Sequence, residues 1–367
     1  MIKASKFSHK NLVPWFSLLF LLLSSSACQP ASGKDVEVST PTALPPHSIE
    51  IKTAMPTLMP VQTFTPEAIP TITATLQTTP TMQVHLMAVG DIMLGRTVGD
   101  LILTSGADQP FVHVADLLNS ADVTIGNLES PISLRGEPED KAYTFRAPPE
   151  SATSLSLAGF DLVNLANNHA LDYGKAAFID TLQALSDQNI VYTGAGMDEK
   201  SAQTPVFIER NGLRIAFLGY LDIPVWKYDY TQWQATTDQP GVAWGFHYDI
   251  IGGVKKASAA ADIVIVMMHF GNEYEAVVSQ AQINTAHAAI DAGADLVIGS
   301  HPHVLQTIEL YKDGLIAYSL GNFVFDQFYD AANKTAILSV HLSPNGIESY
   351  ELIPVQIQTD GRPAITE

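Results

Sequence analysis

Six short apolar runs in this chain end in the same way, in polar residues that can bind or react. VHLMAVGD stops at Asp91 and ADVTIGNLE at Glu129. FDLVNLANNH stops at Asn167, Asn168 and His169, and ADIVIVMMH at His269. ADLVIGSHPH stops at His301 and His303, and GLIAYSLGN at Asn322. Continuous Val/Ile/Leu runs of this length read as strands buried on both faces. Helical spacing lies between several of them: residues 174–188 carry Ala177, Phe178, Leu182 and Leu185 near a helical period, and 250–260 and 276–292 are further candidates. Strands alternating with helices imply α/β layers. Asn211-Gly212 and Asp313-Gly314 are strong turn dipeptides between strand-like runs, and 336–358 reads as a third hairpin, so the sheets are expected to be mixed.

Functional sites in open α/β sheets gather beyond the carboxyl ends of strands. Two histidines flanking one proline would be incidental in a surface loop, but here carboxylates, paired asparagines and histidines recur at one kind of position. A buried strand end is costly for an unpaired carboxylate or imidazole. Several gathered together are relieved by a cation. Imidazole with carboxylate suits Zn, Mn or Fe, whereas Ca prefers oxygen alone. Pro302 stiffens the loop between the two imidazoles.

Charge narrows the partners. With 19 Lys and Arg against 38 Asp and Glu, the formal net charge is -19. No basic stripe is present, which argues against nucleic acid and against adsorption on anionic lipid. The 367 residues suffice for one large domain or two ordinary ones.

The N-terminus reads as an export signal. Lys3, Lys6 and Lys10 precede an apolar run over 12–23 that is too short to span a bilayer, which takes ~20 apolar residues. SSSAC follows, and its cysteine, Cys28, is the only one in the chain. Small residues before a cysteine resemble the lipobox of bacterial lipoproteins, although Ser25 stands where a leucine is usual. Residues 1–27 are therefore expected to be a lipoprotein-type signal peptide and Cys28 the lipidated first residue; the alternative is an ordinary signal peptide and a secreted chain. Pro and Thr recur over 28–83 without any apolar period, as in a disordered tether. The folded domain is expected over 84–367, extracytoplasmic and anchored to the membrane through lipid.

The motifs GDIMLGR, GNLE, NNHALDYG, HFGNEYE, GSHPH and SLGNFVFD, in this order over about 84–330, make the chain similar to the bacterial capsule-synthesis CapA (PGA_cap) family. That family is a branch of the calcineurin-like metallophosphoesterases. The resemblance implies an α/β fold, a layered α-β-β-α metallophosphoesterase-like sandwich with mixed sheets. It also implies a site for two divalent transition metals, with Asp91 and His303 on one, Asn168, His269 and His301 on the other, and Glu129 bridging. His169 would be the acid beside the scissile group, with Asp172 orienting its ring. The wider superfamily has a histidine two residues after the first aspartate, where this chain has Met93, so one metal is expected to be held more tightly than the other. The implied function is metal-dependent hydrolysis in the biosynthesis of a poly-γ-glutamate capsule or other cell-surface polymer, in partnership with capsule machinery. The alternative is a non-catalytic, metal-containing module that binds or exports the polymer.

Further candidates carry two readings each. Arg96 is a binding group for an anionic substrate or a helix-surface arginine, and Asn167 and Asn322 are placed with it as substrate-binding. Glu273 and Glu275 are outer partners of the histidines or part of a solvated loop. Tyr228, Tyr230 and Trp233 line a polymer groove or pack against the domain.

Overall fold

The computed structural model describes residues 82–223, 231–245, 249–327 and 331–366. The leader, Cys28, the tether up to residue 81, Tyr228 and Tyr230 lie outside the described residues. From the N-terminal side run β1 (Val84–Ile92), α1 (Arg96–Ser105), a 3₁₀ turn (Gln109–Phe111), α2 (Ala115–Leu118), β2 (Val123–Leu128), α3 (Glu150–Leu157), β3 (Leu162–Asn164) and α4 (Gly174–Asp187). Then come β4 (Val191–Thr193), β5 (Ala195–Gly196), α5 (Glu199–Gln203), β6 (Val206–Arg210), β7 (Leu213–Asp222), β8 (Gly241–Val242), α6 (Ile250–Ser258) and β9 (Ile263–Phe270). The remainder is α7 (Gln280–Asp291), β10 (Leu296–Ser300), β11 (Ile308–Tyr311), β12 (Gly314–Ala317), β13 (Asn322–Val324), β14 (Lys334–Ser343), β15 (Gly346–Ile357) and β16 (Pro363–Ile365).

Two mixed sheets form from these strands. One has the order β16-β15-β14-β1-β2-β3-β4, with β13 pairing the far end of β1; the other has the order β11-β12-β10-β9-β7-β6. Their central pairs, β1 with β2 and β9 with β10, are parallel, while β14 and β15 pair antiparallel with each other. Side-chain alternation decides the layers. Val84, Leu86 and Ala88 of β1 share a buried cluster with Ile215 and Phe217 of β7 and Ile263, Ile265 and Met267 of β9, so these faces meet between the sheets. Met87 and Val89 turn the other way, into a cluster with Val98 of α1, Leu155 of α3 and Phe178 of α4. Val264 and Val266 of β9 likewise join Val254 of α6 and Ala289 of α7. Burial on both faces explains the unbroken apolar runs, and the expected α-β-β-α layering results.

Local signals place most boundaries, with two corrections. The helix expected to open at 276 opens at Gln280, because Ser279 accepts the Gln282 backbone N–H while the Gln282 side chain accepts from Ser279, forming a capping box. The Asn211-Gly212 turn forms as expected, both residues having positive φ (51° and 82°). At the next hairpin, Tyr311 pairs Gly314, so the turn residues are Lys312 and Asp313, with Lys312 at φ 53°. Gly314 instead opens β12, where a Cβ would lie 2.6 Å from Ile290 Cδ1 of α7. The glycine leaves room for the Ile290 side chain of α7 against the sheet.

Candidate metal centre

The apolar face between the sheets turns polar at the carboxyl ends of its strands. On β2 the inward series Val123, Ile125 continues to Asn127; on β9 the series Ile263, Ile265, Met267 continues to His269; on β10 Leu296 and Ile298 continue to Ser300. β1 joins this series through an irregularity. Its register with β2 shifts between Ala88 and Asp91, and a shift of one residue changes the face on which a side chain falls. Asp91 then lies between Asn127 of β2 and Asn322 of β13. Gly90 permits this, since its Cβ would stand 1.8 Å from the Gly321 carbonyl oxygen.

Glu129 follows β2 directly, is fully buried, and has no hydrogen-bond partner among the described residues on either carboxylate oxygen. Its Oε1 faces three imidazoles, 3.9 Å from His169 Nε2, 3.8 Å from His269 Nε2 and 3.9 Å from His303 Nε2. These separations are too long for hydrogen bonds, and those to His269 and His303 suit nitrogen and oxygen ligands that share an ion about 2 Å from each. Burial, and then the Asp91 carboxylate, push Glu129 well above the usual carboxylate range. Such a group calls for a positive charge beside it. Ligand atoms of Asp91, Glu129 and His303 lie within 4.8 Å of one another, as do those of Glu273, His301 and His303. His303 thus stands in both groups. Asn168 Oδ1 lies 2.8 Å from His269 Nε2, and the His269 and His301 rings are 4.7 Å apart. The six expected ligands, Asp91, Glu129, Asn168, His269, His301 and His303, are therefore gathered in one place, and their donor set fits a divalent transition metal.

The surrounding residues orient these side chains. His303 Nδ1 donates to Asn322 Oδ1 (2.9 Å) and lies 3.2 Å from Asp91 Oδ2, which leaves Nε2 directed to Glu129. Burial opposes the charged form of His303, but Asp91 outweighs it and raises its pKa. His269 Nδ1 lies 2.9 Å from Ser300 Oγ; burial, and then His301 and His303, hold its pKa well below the ordinary value. His301 and His303 have φ of 95° and 59°, and the His301 N–H points to Asp91 Oδ2 at 3.3 Å. Left-handed backbone at such residues costs about 1–3 kcal/mol each and is concentrated at functional sites.

Asparagines form a second tier that the sequence did not single out in full. Asn127 Nδ2 donates to Asp91 Oδ1 (2.8 Å), while Asn127 Oδ1 accepts from Asn164 Nδ2 (3.0 Å) and Asn167 Nδ2 (3.2 Å). Asn167 Nδ2 also donates to the Leu128 carbonyl, and Asn167 Oδ1 accepts the His169 N–H. Both Asn167 and Asn322 are fully buried. Instead of reaching into a substrate cleft, Asn167 ties β2 to the His169 turn and Asn322 holds His303.

Three residues surround the His169 ring. Its Nδ1 donates to Asp172 Oδ2 (2.6 Å), its ring stacks on Phe145 at 4.1 Å, and Lys141 Nζ lies 3.3 Å from Nδ1. Lys141 also pairs with Asp172 Oδ1 (2.6 Å), donates to the Asn168 carbonyl (2.7 Å) and sits 4.7 Å over the Trp233 ring. Trp233 is buried, so it packs under the site rather than lining a groove. Burial lowers the pKa of His169 to about 4 despite Asp172, and Lys141 adds to the lowering. No sequence signal marked Lys141, which stands in an aperiodic polar loop.

Met93 and Arg96 also find their places. The Met93 side chain packs with Phe145, Phe325 and Ile357, and its sulfur accepts the Gly95 N–H at 3.1 Å. Phe325 meets the His303 ring edge-on at 5.3 Å, so this apolar cluster supports the two rings from below. Arg96, at φ 48°, is ion-paired to Asp326 and lies 4.7 Å over Phe145. It lines a cleft of about 610 Å³ together with Thr97, Tyr143, Glu273, Tyr274 and Asp326. Glu273 joins this cleft to His301 and His303.

The family described as bacterial capsule synthesis protein PGA_cap matches residues 85–327. The capsule biosynthesis protein CapA of Bacillus anthracis is 38% identical over 286 residues, which are 75% of this chain and 67% of that protein. The PGA biosynthesis protein CapA of Bacillus subtilis (strain 168) is 37% identical over 272 residues, 73% of this chain and 70% of that protein. Among solved structures, a hypothetical protein from Thermus thermophilus has a TM-score of 0.47 at 17% identity, covering 74% of this chain and 99% of that one.

Proposed function

Because this chain belongs to the bacterial capsule synthesis protein PGA_cap family, we propose that it is a metal-dependent hydrolase acting in the biosynthesis of a poly-γ-glutamate capsule or another cell-surface polymer. The observation that carries the reading is the buried Glu129 carboxylate, without a hydrogen-bond partner among the described residues and facing three imidazole nitrogens. Asp91, His303 and Glu129 would hold one cation, and Asn168, His269, His301 and Glu129 a second, more tightly held one. When bound, a pair of divalent cations supplies positive charge that acidifies a water and offsets charge developing on the scissile group. The protein's part is to position and to move protons. Asp172 fixes the His169 tautomer with hydrogen on Nδ1, so Nε2 presents a lone pair on the Glu129 side. With its pKa near 4, the ring is neutral at neutral pH. It therefore enters the reaction as a proton acceptor, and serves as an acid after taking up a proton. The cleft beside Arg96 offers room for a polymer segment. With a net charge of -19, an anionic polymer is captured locally, at the cations and not over a broad face.

Metal analysis of the purified protein, followed by assays on a chromogenic phosphodiester and on poly-γ-glutamate chain length, tests this reading. Metal-dependent turnover of either is the expected result. Bound metal with no turnover of either would favour the non-catalytic module that binds or exports polymer.

The N-terminal segments complete the proposal. Residues 1–27 act as a lipoprotein-type signal peptide, Cys28 is lipidated, and 28–83 forms a spacer that holds the domain outside the cell membrane. A short apolar stretch, small residues and a single cysteine in that position support this. Metabolic labelling with a fatty-acid probe should mark the wild type and not Cys28→Ser. Equal labelling of the two would overturn the anchoring.

A further inference from the structure

We propose that the Glu273 carboxylate is itself a ligand of the centre, filling from the cleft side a coordination position that the Met93 side chain does not supply. The inference rests on the reading of this site as a metal centre and adds a ligand that the resemblance does not assign. Three observations meet in it. A carboxylate oxygen of Glu273 and ring nitrogens of His301 and His303 lie within 4.8 Å of one another, a spacing that ligands about 2 Å from one ion satisfy. Glu273 is the half-buried member of that group, and it also lines the cleft that holds Arg96 and Tyr143. Met93, by contrast, is buried among Phe145, Phe325 and Ile357, at the position where the resemblance leads one to expect a histidine ligand.

The backbone holds Glu273 where a ligand would need to be. The next residue, Tyr274, at φ 63°, donates its N–H to the carbonyl of Pro302, the residue between the two histidines (2.8 Å). Its phenol oxygen accepts from Gln327 Nε2 (2.9 Å), and its ring lies 5.9 Å from that of His303. One residue further, the Glu275 carbonyl accepts from Gln306 Nε2 (2.7 Å), and Gln306 Oε1 accepts from Gln282 of α7 (2.8 Å). The loop after β9 is thus registered onto the loop after β10 on the C-terminal side of Glu273. Glu275 takes part through its carbonyl, and its exposed side chain makes it the control.

The test compares the full chain with Glu273→Gln and Glu275→Gln. Bound Mn²⁺ is counted by elemental analysis, affinities are measured by calorimetry, and the Co²⁺-loaded proteins are compared by visible absorption. Glu273→Gln should weaken the more loosely held equivalent by roughly tenfold or more and alter the Co²⁺ spectrum, with Glu275→Gln matching the wild type. Equal affinity and spectrum in Glu273→Gln and a metal-loaded wild type would overturn the assignment, as would equal weakening by both substitutions. A wild type that holds no transition metal would overturn the metal centre itself, and the two failures are distinguishable.

Discussion

Replacing His169 by alanine is expected to lower kcat about 10²–10⁴-fold while the metal content stays that of the wild type. The size follows from the loss of a positioned proton-transfer group. The separation from metal binding follows from the role proposed for the ring, which faces Glu129 at 3.9 Å as a proton-transfer group and is not one of the six proposed ligands. It is held by Asp172 at Nδ1, on the side away from that carboxylate, and by the stacked Phe145 ring, with Lys141 paired to Asp172. Parallel metal analysis and turnover of the chromogenic phosphodiester check the expectation. Unchanged kcat in a folded, metal-loaded variant would remove His169 from the chemistry. Loss of metal together with activity would make it a ligand instead.

Chelation of the wild type is expected to lower its melting temperature on the order of 10 °C, and Glu129→Gln should abolish that dependence. A ligand present at a thousand times its Kd stabilises the folded state by about 4 kcal/mol, and each kcal/mol shifts the midpoint by a few degrees in a domain of this size. The substitution keeps the shape of the side chain and removes its charge. In the metal-free state it should stabilise the fold by several kcal/mol, because a buried carboxylate without hydrogen bonds is costly. The metal-free variant should therefore melt above the metal-free wild type. Scanning calorimetry of both proteins with chelator and with Mn²⁺ measures all four midpoints. A wild type indifferent to chelator, or a variant that responds to metal as the wild type does, would show that Glu129 holds no cation.

Much of the centre was legible before any coordinate. Strand periodicity has an exact repeat of two, so an apolar run names both its faces and the residues at its end. Asp91, Glu129, Asn168, His269, His301 and His303 stand at or just beyond the ends of apolar runs, and the family resemblance supplied their expected roles as ligands. The paired asparagines were visible too, but not their work. In sequence they look like groups offered to a substrate, whereas Asn167 is consumed by Asn127, Leu128 and the His169 backbone.

Sequence alone determined the α/β class, the mixed sheets, the hairpin at Asn211-Gly212 and the placing of carboxylates and imidazoles at strand ends, because each depends on a local period or on a turn conformation confined to a few residues. Tertiary structure decided the rest. The register shift before Asp91 depends on close approach of Gly90 to Gly321, far away in the chain. Lys141 reaches Asp172 and Trp233 from an aperiodic loop. Arg96 finds its ion pair with Asp326, 230 residues away, and Glu273 comes near His301 and His303 in a loop whose Tyr274 is tied to Pro302. These contacts join segments whose separation along the chain has no period, so their partners are set by how the two sheets pack and which loops that packing brings over the same strand ends.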